Sequence, residues 1–329
     1  MLRIHFSVED LARITLAPGA DPMWETLLSL YRLRHRQGTV VFGQWKRRLR
    51  LGAGPEVRLL STLAPPVGYA VDFLTPAGAG QSLTEGLEAL RRTPRTRLRG
   101  DLEELLVRHP GQPLPGWAHE LAEGTPESVT RLANAVGGYF GAALDPVWHR
   151  VQSQVARDRA ARLRTLTEGG WEKVLATLHP SARWSYPVLE LAFPADHDIH
   201  LGGRGLTLQP SFFCWGAPTT FLDIGLPPTL VYPVERDLDW AAPQGTPGRY
   251  ALAALLGTTR ARVLEAVAVG ACSTTELARR IRVPLPTASQ QASVLRDAGL
   301  VRSQRHRNAI IHMVTPLGAA LLDGGPVRN

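Results

Sequence analysis

Along the 329-residue chain, apolar positions recur at helical spacing over most of residues 8–178. From Arg183 to Val234 they fall instead into short β-branched or aromatic runs separated by Gly and Pro, which predicts strands. In DPMWETLLSLYRLRHRQ, Asp21-Pro22 gives a helix-start signal and Trp24, Leu27, Leu28 and Tyr31 share one face. TRLRGDLEELLVRH and TPESVTRLANAVGGYFGAAL repeat the pattern. The longest candidate helix, residues 146–170, sets Val147, Val151, Val155, Arg159 and Leu163 near one stripe, flanked by Trp148 and Leu166. Its length makes it the candidate for a dimer contact. The strand candidates are WSYPVLELAF, HDIHLG, LTLQPSFFCW, TTFLDIG and TLVYPV.

The expectation is an α+β fold. It has an N-terminal region over 1–240, helical over 1–180 and an antiparallel sheet over 181–236. A linker with a connecting helix follows over 241–256, then a C-terminal module over 257–329. The Pro- and Gly-rich LDWAAPQGTPGRY marks the junction. Beyond it, one helix is expected to start at a Thr258 or Thr259 cap, bury Val263, Leu264 and Val267, and stop at Gly270. CSTTELARRIRV opens a second, with Ser273 and Glu276 at the spacing of a capping box and Leu277, Ala278 and Ile281 on its apolar face. After the turn Arg282-Val283-Pro284, a third helix over 286–298 buries Ala288, Ala292 and Leu295. Residues 302–314 then read as a hairpin with Arg305, His306, Arg307 and Asn308 near its tip, and Pro316 begins a last helix.

The third helix presents Thr287, Ser289, Gln290, Gln291 and Ser293 away from its apolar stripe, with no charge before Arg296. Small residues keep a helix slim. A Gln amide can pair bidentately with adenine in the major groove, and Ser and Thr adapt to several base edges. The charge distribution points the same way. From Gly257 onward there are ten Arg, no Lys and four acidic residues, so this segment holds +6 of the chain's +8. Such asymmetry suits an anionic partner, with arginines gripping phosphate while the polar face reads bases. The plainer alternatives are a solvated helix face and an Arg-rich composition without a partner.

Residues 258–322 resemble the winged helix-turn-helix of ArsR-type bacterial transcription regulators. The resemblance is carried by TTELARRI, SQQASVLRDAGLVRS and VTPLGAALL, in that order. It implies a homodimer that binds pseudo-palindromic double-stranded operator DNA, repressing or activating transcription. Its base-reading positions fall here on Ser289, Gln290 and Gln291, with Thr287 beside them. Candidate DNA contacts are therefore Thr274, Thr287, Ser289, Gln290, Gln291, Ser293, Arg296, Arg302, Arg305, His306, Arg307 and Asn308. Many members of the family sense metals through paired Cys or terminal His and Asp. Here Cys272 stands alone in the segment and LGAALLDGGPVRN lacks a His/Asp set, so neither a metal nor a cofactor is expected. The longer N-terminal part, through MLRIHFSVEDLARI, PVWHRVQSQVARDRAARL and GRGLTLQPSFFCW, is similar to an actinobacterial group of long regulators. That similarity implies a regulatory or dimerising role and no established ligand. The architecture alone leaves room for an unknown small-molecule effector that shifts the spacing of the two winged helices.

Other motifs leave alternatives open. In ADHDIHLGG, strand alternation puts Asp196, Asp198 and His200 on one face, either as ligands for a divalent ion or as a solvated strand edge. Phe212, Phe213, Cys214, Trp215 and Phe221 line an apolar pocket or simply pack a core. Cys214 and Cys272 lie too far apart in sequence to suggest a disulfide framework, and the longest apolar runs fall short of the roughly 20 residues of a membrane span. Glu9 and Asp10 interrupt any secretory signal, so a cytoplasmic setting without a membrane partner is expected. No nucleophile elbow, phosphate loop or zinc-protease motif is present, and no catalytic residue is assigned. Two rivals remain: an enzyme with a catalytic N-terminal domain, and an architectural DNA binder with little sequence preference.

Overall fold

The computed structural model describes residues 1–35, 37–50, 54–78, 82–111, 114–236, 240, 252–253, 255–306 and 309–323, with only the backbone described at Arg50, His306 and Asp323. The chain divides into two compact units. One comprises Met1–His35 and Gly52–Glu235, the other Arg36–Leu51 and Arg236–Asn329. The linker expected over 241–256 lies outside the described residues at 241–251 and 254.

The first unit combines helices with two four-stranded sheets, so the α+β class holds. In one sheet the order is β3 (Arg183–Ser185), β4 (Val188–Leu191), β1 (Leu2–His5), β5 (His197–His200). In the other it is β2 (Thr15–Leu16), β6 (Thr207–Ser211), β8 (Thr229–Pro233), β7 (Thr219–Thr220). The expectation of an antiparallel sheet is corrected here. β1 runs parallel to β5, and both β2 and β8 run parallel to β6. The cause lies at the N-terminal end of the sequence, where Leu2 and Ile4 point inward and Arg3 and His5 outward. Their strand takes the place between β4 and β5. Leu2, Ile4, Leu189, Leu191, Leu208, Leu230 and Tyr232 form one core with Val174 and Leu175.

The helical part is built around α8 (Pro126–Ala143), which packs on α2 (Pro22–Arg34), α4 (Pro55–Leu63), α5 (Leu83–Arg91) and α7 (Gly116–Ala122). Asp21 caps α2 by accepting from the N–H groups of Met23 and Trp24 at 2.8 and 3.0 Å. The long helix α9 (Trp148–Ala176) is interrupted by non-helical Gly169 and Gly170. On it Val151, Gln154, Val155 and Asp158 are buried, whereas Leu163 is exposed. The stripe read as a dimer contact is thus used in its first half inside its own unit.

Buried acids tie this unit's loops down. Glu25, fully buried on α2, accepts from the Ser211 hydroxyl at 3.0 Å and from the Phe212 and Phe213 N–H groups at 2.6 and 2.8 Å. Asp10, on α1 (Val8–Ala12), accepts from the Ser7 and Gly205 N–H groups, both at 2.8 Å. Gly205 has φ +74 and a Cβ there would meet the Arg13 carbonyl oxygen at 2.4 Å, so only Gly fits. Asp72 accepts from Leu222 and Asp223, and Asp101, on α6 (Arg95–Arg108), from Phe73. Burial pushes these two carboxyls up, to about 6 for Asp72 and about 7 for Asp101.

The second unit holds the expected C-terminal elements and one unexpected helix. α3 (Thr39–Arg50) was expected in the N-terminal region, but it packs on α10 (Thr258–Val269) and α13 (Pro316–Asp323). Val41, Phe42, Trp45 and Leu49 are buried on one side of α3, and Gln44, Arg47 and Arg48 are exposed on the other. The Trp240 indole donates to the Val41 carbonyl at 2.7 Å and its ring meets Phe42 edge-on. An amphipathic helix goes where its apolar side is covered, whatever its place in the chain.

Asp101 binds its proton more tightly in the folded than in the unfolded chain. Its contribution to stability is therefore present at low pH and is lost as pH rises through the folded value near 7. Asp101→Asn keeps an acceptor for Phe73 without the charge. Its stability relative to wild type, from urea unfolding, should rise by roughly 2 kcal/mol between pH 5 and pH 8. A difference that is constant with pH would contradict this.

Candidate nucleic-acid interface

Three helices and a hairpin form the C-terminal surface: α10, α11 (Thr274–Ile281), α12 (Leu285–Asp297) and the strands β10 (Val301–His306) and β11 (Ala309–Val314). A short strand β9 (Cys272–Ser273) completes a three-stranded sheet in the order β10, β11, β9. Val263, Leu264, Val267, Leu277, Ile281, Ala288, Ala292 and Leu295 make one buried core, as their spacing predicts. Two caps differ from expectation. α10 begins at Thr258 after Gly257, which has φ 84 and no side-chain cap. Ser273 does accept from the Glu276 N–H at 3.2 Å, but the Glu276 carboxylate turns to Arg279 and Arg280 at 2.7 and 3.0 Å. These guanidinium hydrogen bonds hold it below the usual carboxylate range.

The turn between α11 and α12 rests on Arg282, whose φ of 53 and ψ of 54 are left-handed. Such geometry costs a side-chain-bearing residue about 1–2 kcal/mol. The exit from α12 uses glycine instead. With φ +71, Gly299 lets its own N–H reach the Arg296 carbonyl and the Leu300 N–H reach that of Leu295, both at 2.9 Å. Thr315 then pins α13 to this corner: its hydroxyl donates to the Gly299 carbonyl at 2.7 Å and accepts from the Gly318 N–H at 3.1 Å. A Cβ at Gly318 would lie 2.2 Å from the Leu300 carbonyl oxygen. The motif LRDAGLV…TPLG is this corner.

With Ala288, Ala292 and Leu295 inward, Ser289, Gln290 and Arg296 of α12 are exposed, and Thr287, Gln291 and Ser293 are half-buried. Arg296 pairs with its exposed neighbour Asp297 at 3.1 Å, a contact worth little in water. On the hairpin, Arg302 lies opposite Met313 and Arg305 opposite Ile310. Both arginines are exposed and make no ion pair among the described residues. Their odd separation sends them to opposite faces of the hairpin. The candidates Arg307 and Asn308, and the side chain of His306, lie outside the described residues. Thr274, another candidate, is half-buried at the start of α11, with its hydroxyl 3.0 Å from the His312 ring.

Sequence reasoning missed the internal duties of several arginines and the role of His312. Arg280 donates to the Ala266 and Gly270 carbonyls at 3.2 Å each, and Arg262 donates to that of Ile281. Both satisfy helix-end carbonyls within the unit, so not every positive charge is available to a partner. A lone His inside AIIHMV, at an inward strand position, was the available sign of His312.

Elsewhere, Arg3 bonds Asp198 at 2.7 Å and His5 bonds it at 2.8 Å, which holds that carboxyl well below its ordinary range. His200 stacks on His5 at 4.2 Å. Among the described residues no group of three or more His, Cys, Asp and Glu is arranged to hold a metal ion. Phe212, Phe213, Cys214 and Phe221 are buried, with Phe221 against Trp24 at 5.0 Å. Cys214 and Cys272 are both buried, and burial pushes the Cys272 thiol up. Among the described residues no helix is long and apolar enough to cross a membrane.

Opposite stability changes should follow at the two corners. Arg282→Gly should stabilise the second unit by about 0.5–1 kcal/mol by relieving the left-handed turn. Gly318→Ala should destabilise it by about 1–3 kcal/mol by forcing α13 off the Leu300 carbonyl. Thermal unfolding followed by circular dichroism measures both, and equal shifts of the same sign would contradict the assignment.

Residues 258–304 match a family of helix-turn-helix domains. No curated protein and no solved structure matches the chain significantly. The C-terminal unit therefore carries a helix-turn-helix domain, the kind of domain that serves in DNA-binding transcription regulators.

Proposed function

We propose that the chain is a homodimeric, sequence-specific transcription regulator of the ArsR type, acting in the cytoplasm on a pseudo-palindromic operator. In this reading α12 enters the major groove, with Ser289 and Gln290 reading base edges and Thr287, Gln291 and Ser293 at the margins of the contact. Thr274, Arg296 and the hairpin arginines bind phosphate. The N-terminal unit sets the spacing of the two DNA-binding units and takes a small-molecule effector. No catalytic step is assigned to it. The observation that carries this reading is α12 itself. Its inward face is two alanines and a leucine, and Ser289 and Gln290 are uncharged and exposed, with Arg296 exposed near the end of the same helix.

Two classes of substitution should separate on duplex DNA. Gln290→Ala or Ser289→Ala should weaken specific binding by about 1–3 kcal/mol per lost base contact and leave binding to random duplex unchanged. Arg302→Ala or Arg305→Ala should weaken binding to every sequence and reduce the salt slope by about one each. Fluorescence anisotropy over a salt series reads both. Equal effects of Gln290→Ala on specific and random duplex would favour a low-specificity architectural binder.

A further inference from the structure

His312 is a buried polar group that the DNA-binding reading leaves without a task. It lies on β11, 4 % exposed, and both of its ring nitrogens are engaged. Nε2 is 3.0 Å from the Thr274 hydroxyl on α11, and Nδ1 is 2.9 Å from the Ser303 hydroxyl, directly opposite on β10. One side chain thus bridges the first turn of the helix-turn-helix and both strands of the hairpin.

The chemistry of this bridge is constrained. A neutral imidazole carries one N–H and one lone pair, so one hydroxyl must accept from the ring and the other must donate to it. Only the accepting hydroxyl keeps its proton for a third partner. Phosphate oxygens accept hydrogen bonds and do not donate. Thr274 can therefore donate to a phosphate only when the proton sits on Nε2, with Ser303 donating to Nδ1.

We propose that His312 is a positioning residue of the DNA-binding surface, fixing the hairpin against α11 and aiming the Thr274 hydroxyl at the DNA backbone through its Nε2–H tautomer. This rests on the DNA-binding reading above. The surroundings favour the neutral ring: burial lowers its proton affinity, and Arg296 of α12 lowers it further. Cys272, its register partner on β9, is a buried thiol held above its ordinary value. Glu276 on α11 is taken by Arg279 and Arg280, and the neighbouring β10 position contributes Ser303 rather than an acid.

The test uses the full chain and a duplex from upstream of its own gene. His312→Phe keeps the ring volume and removes both bonds, and should weaken binding at least tenfold with an unchanged salt slope, whereas Arg302→Ala flattens that slope. Thr274→Val should weaken binding in the wild-type background and cost nothing further beside His312→Phe. His312→Gln, whose amide can donate to Thr274, should recover part of the loss. In the complex, histidine ¹⁵N spectra should show the His312 proton on Nε2. Wild-type binding that neither His312→Phe nor Thr274→Val disturbs, additive losses in the double variant, or a proton on Nδ1 in the complex would each overturn the inference alone. If the wild-type chain binds no duplex at all, the DNA-binding reading falls and takes the inference with it.

Discussion

The close packing of α12 against α10 and α11 is the constraint on which the functional surface depends. Ala288, Ala292 and Leu295 are at most 1 % exposed, and a helix that buries one stripe has no freedom in what it shows on the other. Two alanines on the inward side let the helices approach closely, so a larger residue at either place would push α12 outward or rotate it. Rotation by one residue, about 100° at 3.6 residues per turn, would take Gln290 off the outer face. The rest of the unit holds that rotation in place. Gly299 ends α12 in one conformation, Thr315 bonds its last corner, and Gly318 lets α13 lie against the Leu300 carbonyl.

The same logic of coverage explains a unit that is discontinuous in sequence. Phe42 and Trp45 would be costly to expose, and on α3 they are buried within the second unit, with Trp240 closing over Phe42. The DNA-binding unit is consequently built from residues 36–51 as well as the C-terminal segment. In the first unit the buried acids do structural work. Glu25, Asp10, Asp72 and Asp101 each receive backbone N–H groups, so the loops after β6 and β7 are held by side chains of α2 and of the segment before α5. Placing carboxylates on otherwise unsatisfied N–H groups offsets part of the penalty of burying either alone.

Local signals made much of this legible. Asp21-Pro22, the Gly270 stop and the hairpin over 302–314 are each decided within a few residues, and each appears where the pattern places it. The apolar face of α12 follows from spacing alone. What was not legible depended on partners distant in sequence. Nothing near Leu2 and Ile4 shows that their strand pairs parallel with one about 195 residues later, and nothing near Trp45 shows that its helix belongs with the last quarter of the chain. Charge was misleading in a smaller way. Ten arginines suggested a uniform grip on an anion, whereas Arg262 and Arg280 satisfy helix-end carbonyls and Arg279 pairs with Glu276. Spacing cannot tell an arginine that faces solvent from one that closes a helix end.

The central claim is that this unit reads sequence through α12. The most direct measurement is the affinity of the purified wild-type chain for the duplex upstream of its own gene, set against a scrambled duplex of equal length across a salt series. A preference of about a thousandfold or more that persists as salt rises is the result expected of base readout. Equal affinities that fall together with salt would mean that the arginines bind phosphate while Ser289 and Gln290 read nothing, which would contradict the claim.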